Sequence, residues 1–350
     1  MKYQQYLKRI ALMLFSACAV WIFWPSIPVE KPQKTIQVTV KKTSEQTISQ
    51  LEKVEVTDNH VSAVSETISS NNSAALVAKV YAAELNYPPY SQPLTDVDFD
   101  RLQPNYFNPQ SIPVDNEGNE ITAALSKFRY TYPEPILATL QGDNIVNAEL
   151  QLIDTNSGEV LVSNRFEQED NSWHVQLNGD RDLPRQLHAT VRANVNNKTI
   201  TMALALKYID PIATLEGFDS AFTRDADMIV PAQLTTKKQG LYRVRANLFD
   251  ANHHPIAHLV TKKKLRQGSN EIELKAHQSV LQGKQPPFHL ATFSIELMSP
   301  APGKPTQYGN SSIKKYEIKD FAVSSLSDVS YQPSAQEQQR LQLLQKMSQG

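Results

Sequence analysis

The chain has 350 residues, 40% of them hydrophobic, and its 35 Lys and Arg against 36 Asp and Glu leave a formal net charge of −1. That length exceeds one ordinary domain and suits two with additions, and the apolar content is enough for real cores, which excludes wholesale disorder. The charge balance removes the bulk electrostatic case for a nucleic-acid binder, and a single Cys with 11 Gly leaves no disulfide framework, no cysteine zinc site and no glycine-rich phosphate cradle.

Lys2, Lys8 and Arg9 precede an uncharged run over residues 10–29 that contains Trp21 and Trp24 and closes with Pro25 and Pro28. As a helix it would measure about 30 Å, the thickness of a bilayer's hydrocarbon core, with the indoles near one interface. We read 1–9 as a short cytoplasmic tail and 10–29 as a single transmembrane signal anchor. Two other fates stay open. Leu14-Phe15-Ser16-Ala17-Cys18 resembles a bacterial lipobox that would lipidate Cys18, and Ala17-Cys18-Ala19 would suit a cleavage site. Both would leave the apolar residues 20–24 at a mature N-terminus without a partner, which favours the anchor. Lys31, Lys34, Lys41 and Lys42 flank the other side, so positive charge does not set the orientation. The secreted character of the remainder places the body in the periplasm.

Residues 30–85 are polar, glycine-free and weakly periodic, and read as a stalk, partly disordered or helical. Within it, residues 73–85 suit one short helix with Ser73 or Asn72 as cap. Pro88, Pro89, Pro93, Pro104, Pro109 and Pro113 then mark 86–125 as an extended, irregular strap.

From residue 126 the apolar period becomes two. Leu187, Ala189, Val191, Ala193 and Val195 alternate with polar residues, and after Asn196-Asn197 the sequence Ile200, Met202, Leu204, Leu206 repeats the pattern. Residues 126–209 thus hold about seven short strands. A second set over 210–322 includes Tyr242, Val244, Ala246 and Leu248, then Ala291, Phe293, Ile295 and Leu297. In the tail, 323–350, Ser334 and Glu337 form a capping-box pair ahead of Leu341, Leu344 and Met347 on one helical face. With its strand–turn–strand GLYRVRANLFDANHHPIAH, the region 126–321 resembles the tandem immunoglobulin-like β-sandwich modules of bacterial envelope proteins. The resemblance implies a mainly β fold, two consecutive sandwiches behind the anchor and stalk, and an envelope location. It implies no activity.

Several clusters resemble binding or catalytic motifs but have plainer roles. Asp96, Asp98 and Asp100 alternate like the start of a calcium loop, but Arg101 stands where the motif wants Gly and Phe107 where it wants Glu, so a solvated turn is expected. Asp225 and Asp227 beside Arg224 have the same standing. His253, His254 and His258 gather imidazoles around a turn at Asn252 and Pro255, and read as loop histidines rather than a metal site. Lys262, Lys263, Lys264 and Arg266 are read as guards of an exposed strand edge. Tyr87-Pro88-Pro89-Tyr90 has the content of a polyproline ligand but is read as packing. Residues 217–221 lack the spacing of a nucleophile elbow. No catalytic, cofactor-binding or metal residue is assigned.

The expectation is therefore a non-enzymatic, single-pass inner-membrane protein. Its periplasmic body would act as a docking or scaffold module for an envelope protein partner, with no cofactor and no nucleic acid. A carbohydrate- or peptidoglycan-associated module is the alternative, and an enzyme working in a cleft between the domains is the third reading.

Overall fold

A computed structural model describes residues 61–299 and 301–349, with side chains from Ser73 onward. The apolar run 10–29, Cys18, and residues 30–60 of the stalk lie outside the described residues. Among the described residues no helix is long and apolar enough to cross a membrane.

The stalk's end is more ordered than its composition suggests. Helix α1 (Val61–Glu84) has 24 residues and begins twelve residues before the expected helix start at 73. It stops where the Asn86 side chain turns back onto the Ala83 carbonyl and Pro88 and Pro89 follow. The chain then forms a short strand, β1 (Ser91–Pro93), and a single turn, α2 (Phe99–Leu102).

The first sandwich contains β2 (Gln110–Pro113), β3 (Glu120–Leu125), β4 (Arg129–Thr131), β5 (Ile136–Gln141), β6 (Ile145–Asp154), β7 (Val160–Arg165), β8 (Glu167–Glu169), β9 (Ser172–Leu177), β10 (Gln186–Val195) and β11 (Lys198–Ile209). One sheet runs β2-β3-β5-β9-β8 and the other β4-β11-β10-β6-β7. Their inner faces share one core, with Ile121, Ile136 and Leu140 on one side and Leu150, Val191 and Leu204 on the other. The β10–β11 hairpin shows why register holds. Asn196 and Asn197 both take positive φ, as a two-residue turn that follows strand twist requires, and Leu187 faces Leu206 while Val191 faces Met202.

The second sandwich contains β12 (Ala213–Phe218), β13 (Phe222–Arg224), β14 (Asp227–Thr236), β15 (Gly240–Phe249), β16 (Pro255–Leu265), β17 (Gly268–His277), the turn α3 (Gln278–Leu281), β18 (Phe288–Leu297), β19 (Gln307–Tyr308), β20 (Asn310–Ser311) and β21 (Lys315–Ile318). One sheet runs β13-β14-β12-β20, with β17 also on β14; the other runs β1-β16-β15-β18-β19, with β21 also on β18. Tyr242, Val244, Leu248 and Phe288 close onto Met228, Val230 and Leu274 in a core separate from the first.

The proline-rich segment 86–125 is not one irregular strap, as its composition implied. Its second half supplies β2 and β3 to the first sandwich, and β1 joins the second. The prolines sit where a missing N–H costs no ladder bond: Pro93 ends β1 and Pro113 ends β2, both edge strands.

Helix α4 (Ala335–Met347) starts at a complete capping box, Ser334 with Glu337, and packs against α1. Leu341 and Leu344 are half-buried there, and Ala78 of α1 is buried. Neither helix contributes to either sandwich core. Deleting residues 333–350 should therefore fray α1, with a loss of helical circular dichroism greater than α4 alone accounts for. The melting of the sandwiches should stay in place, and a fall of several degrees would show that α4 also braces them.

Candidate functional site

The site is a cleft of about 700 Å³ between the two sandwiches. One wall is β4. Its outer edge is capped by an amide instead of a strand: Asn105 Nδ2 donates to the Arg129 carbonyl and Asn105 Oδ1 accepts from the Arg129 N–H, both at 2.7 Å. At the wall's end the Glu134 carboxylate accepts from the Thr131 N–H and from Lys127 Nζ. The opposite wall is residues 292–294 of β18 and the segment 309–314. Gly309 is required there, because a Cβ would lie 2.5 Å from the Ala213 carbonyl oxygen while the Gly309 N–H donates to Ile295. Thr292 takes φ 56°, a conformation that β-branched residues avoid, at a break in the β15–β18 register.

Arg129 dominates the electrostatics. Its guanidinium lies 3.9 Å from the centre of the Tyr308 ring, reaching from the first sandwich to the second. No carboxylate pairs with it among the described residues. Burial pulls its pKa below the ordinary arginine value, and the more distant charges of Glu296 and Glu134 offset this only in part. Nearby, the Arg185 guanidinium donates to the Thr306 carbonyl, a second link between the sandwiches.

A smaller cavity of about 230 Å³ adjoins the first and shares Pro104, Thr292 and Ser294 with it. Arg101, Arg245 and His258 line it. Beneath it the nearly buried Glu296 holds Arg245 at 2.8 Å and bonds Arg243 Nε at 2.9 Å. Asn247, fully buried, donates through Nδ2 to the Arg101 carbonyl, so its Oδ1 faces His258 Nδ1 at 2.7 Å. That contact puts the imidazole proton on Nδ1 and leaves Nε2 as an acceptor.

Burial, then the charges of Arg101 and Arg245, push His258 down to about 4. In the unfolded chain it takes a proton near pH 6.5, so between those values the unfolded state binds more protons and acidification destabilises the fold. Discounted for partial exposure, this is about 2 kcal/mol lost from pH 7 to pH 4. Urea unfolding of His258→Gln, which retains a donor for Asn247, should show a correspondingly flatter pH dependence than the parent. Parallel profiles would contradict this.

No family model and no curated protein matches the sequence. Solved structures with partial likeness include a DUF4785 family protein of Legionella pneumophila, 15% identical with a TM-score of 0.38 over 51% of this chain and 52% of that one. The chain thus spans about half the length of that protein. Others are a Salmonella alpha-2-macroglobulin reacted with methylamine, 13% identical with a TM-score of 0.29 over 61% of this chain and 15% of that one, and an Escherichia coli alpha-2-macroglobulin, 12% identical with a TM-score of 0.22 over 55% and 20%.

The residues singled out from the sequence are scattered. Asp98 accepts from the Thr95 N–H and hydroxyl in a turn, while Asp100 lines the smaller cavity. His254 turns to Asp250, His258 to Asn247, and His253 meets His289 at 3.1 Å. Among the described residues no group of three His, Cys, Asp or Glu side chains is placed to hold a metal. Asp227 accepts from the Tyr90 hydroxyl at 2.8 Å, and Arg224 pairs with Glu273, not with Asp225 or Asp227. Tyr87 packs on the second core and Pro88 is buried. Lys262, Lys263 and Lys264 stand exposed on the part of β16 that β1 leaves uncovered. Residues 217–221 put Phe218 against Phe293 and Tyr316. Arg129, Arg101 and Arg245 carried no local signal, because the cleft that unites them is made by packing between sandwiches.

Proposed function

We propose that the protein is a non-enzymatic binding module of the bacterial envelope. Two immunoglobulin-like sandwiches would be held in the periplasm by the 10–29 anchor and dock a protein partner through the cleft between them. The observation that carries this reading is Arg129: a half-buried guanidinium fixed on Tyr308, facing open space, with no carboxylate partner among the described residues. Such a cation costs stability until something anionic meets it.

The test is a photo-crosslinking side chain at Tyr106, which lines the cleft, in the full chain within bacterial membranes. A discrete protein adduct is expected, lost with Arg129→Gln and missing from the same probe at Thr201, exposed and outside the cleft. An adduct indifferent to Arg129 would overturn the reading, and a glycan adduct would favour the carbohydrate-binding alternative.

A further inference from the structure

We infer that one end of the first sandwich carries a second binding site, for a neutral saccharide, between the β5–β6 and β8–β9 turns and beside Trp173. The site lies in the first sandwich alone and is independent of the cleft reading above.

A cavity of about 320 Å³ lies there, a size suited to a small ligand. Gly142, Asp143 and Asn144 line it from the β5–β6 turn, and Gln168, Asn171 and Trp173 from the β8–β9 hairpin. Strand register sets Trp173 opposite Leu140 of β5 on one side and Gln168 of β8 on the other. The indole is thereby packed on the first core while staying only half-buried. Gly142, at φ 146°, keeps its turn close to β3: a Cβ there would lie 2.7 Å from Ile121 Cγ2. Both walls are thus fixed by the sandwich itself.

The polar side chains around this cavity are unspent, in contrast to those of other turns in the chain. Asp115 accepts from the Glu117 and Asn119 N–H groups, Asp154 from Asn156, Asp180 from Asp182, and Asp250 from Asn252 and His254. The side chains of Asp143, Asn144, Gln168 and Asn171 make no hydrogen bond or ion pair among the described residues. Their turns bend through positive φ at Gly142, Asn144 and Asp170 instead. The Trp173 indole N–H has no partner either, and it reaches solvent, since Gln151 Oε1 is the sole buried side-chain polar atom left unpaired among the described residues. Three amides supply donors and acceptors together, the carboxylate accepts, and the indole adds an apolar ring with a donor at its edge. Neighbouring sugar hydroxyls use such mixed donors and acceptors, and the C–H face of a pyranose ring packs on an aromatic surface. No Lys, Arg or His lines the cavity, so a phosphate or uronate finds no counter-charge there and meets the Asp143 carboxylate. That selects a neutral ligand.

The probes are N-acetylated chitotriose, cellotetraose and maltotetraose, titrated by calorimetry onto the full chain in a detergent without a sugar headgroup. Saturable binding of at least one is expected, weakened about fivefold by Asn171→Ala and by Asn144→Gly, as loss of one hydrogen bond implies. Glycine keeps the positive φ at 144, so that variant removes the amide and leaves the turn. Binding should also change the indole emission, and Trp173→Phe, which retains an aromatic ring on the core, should abolish that change. If none of the three sugars binds, the inference fails. Binding unaltered by both asparagine variants, or an emission change that persists in Trp173→Phe, would overturn the placement. Trigalacturonate bound as tightly as the neutral sugars would overturn the ligand class. The Tyr106 crosslink reports on the cleft separately, so either reading can fail alone.

Discussion

Glu296→Ala should lower the unfolding free energy by about 3–4 kcal/mol, the cost of leaving charges buried without their partner. Glu296 is 7% exposed and serves two guanidinia, those of Arg243 and Arg245, from the strand next to its own. Removing it strands both cations, Arg245 of them in the wall of the smaller cavity. Because each arginine is only part-buried and can turn toward water, the loss should fall at the lower end of the range for broken buried pairs. The cycle has a second arm: replacing the whole triad by Leu at 296 and Met at 243 and 245 should recover most of the stability, since an apolar set of similar volume carries no desolvation cost. Urea unfolding checks both arms. A loss below about 1 kcal/mol for Glu296→Ala would mean that the triad is effectively solvated.

Phe288→Ala should cost about 3–5 kcal/mol and should do so in the second sandwich alone. Phe288 is fully buried at the start of β18, within a core that shares no residue with the first. Between the sandwiches lie polar links, such as Arg185 to Thr306 and Arg129 over Tyr308, rather than a continuous apolar seam. Two separate cores joined this way should unfold in two transitions, with departure from two-state behaviour visible in calorimetry. The mutation should lower one transition and leave the other within about a degree or two. Both transitions falling together would show that the sandwiches stabilise each other more than their separate cores indicate.

The period-two runs were legible because each strand buries one face and the code is local. The apolar alternation at 187–195 and 200–206 became β10 and β11. The capping box at Ser334 was legible for the same reason. The strands at 110–125 were hidden by their prolines, which signal an irregular chain unless one knows that Pro113 lies on an edge. His289 gave no sign of joining His253, nor Tyr308 of receiving Arg129, because those contacts depend on how distant strands come together.

If Arg129 serves binding at some cost to the fold, Arg129→Gln must change stability and binding in opposite senses. The expected result is a melting temperature unchanged or slightly raised, because a part-buried cation without an ion-pair partner is removed, together with loss of the Tyr106 crosslink. A clear fall in melting temperature with the crosslink intact would contradict it, and would make Arg129 a structural clasp between the sandwiches.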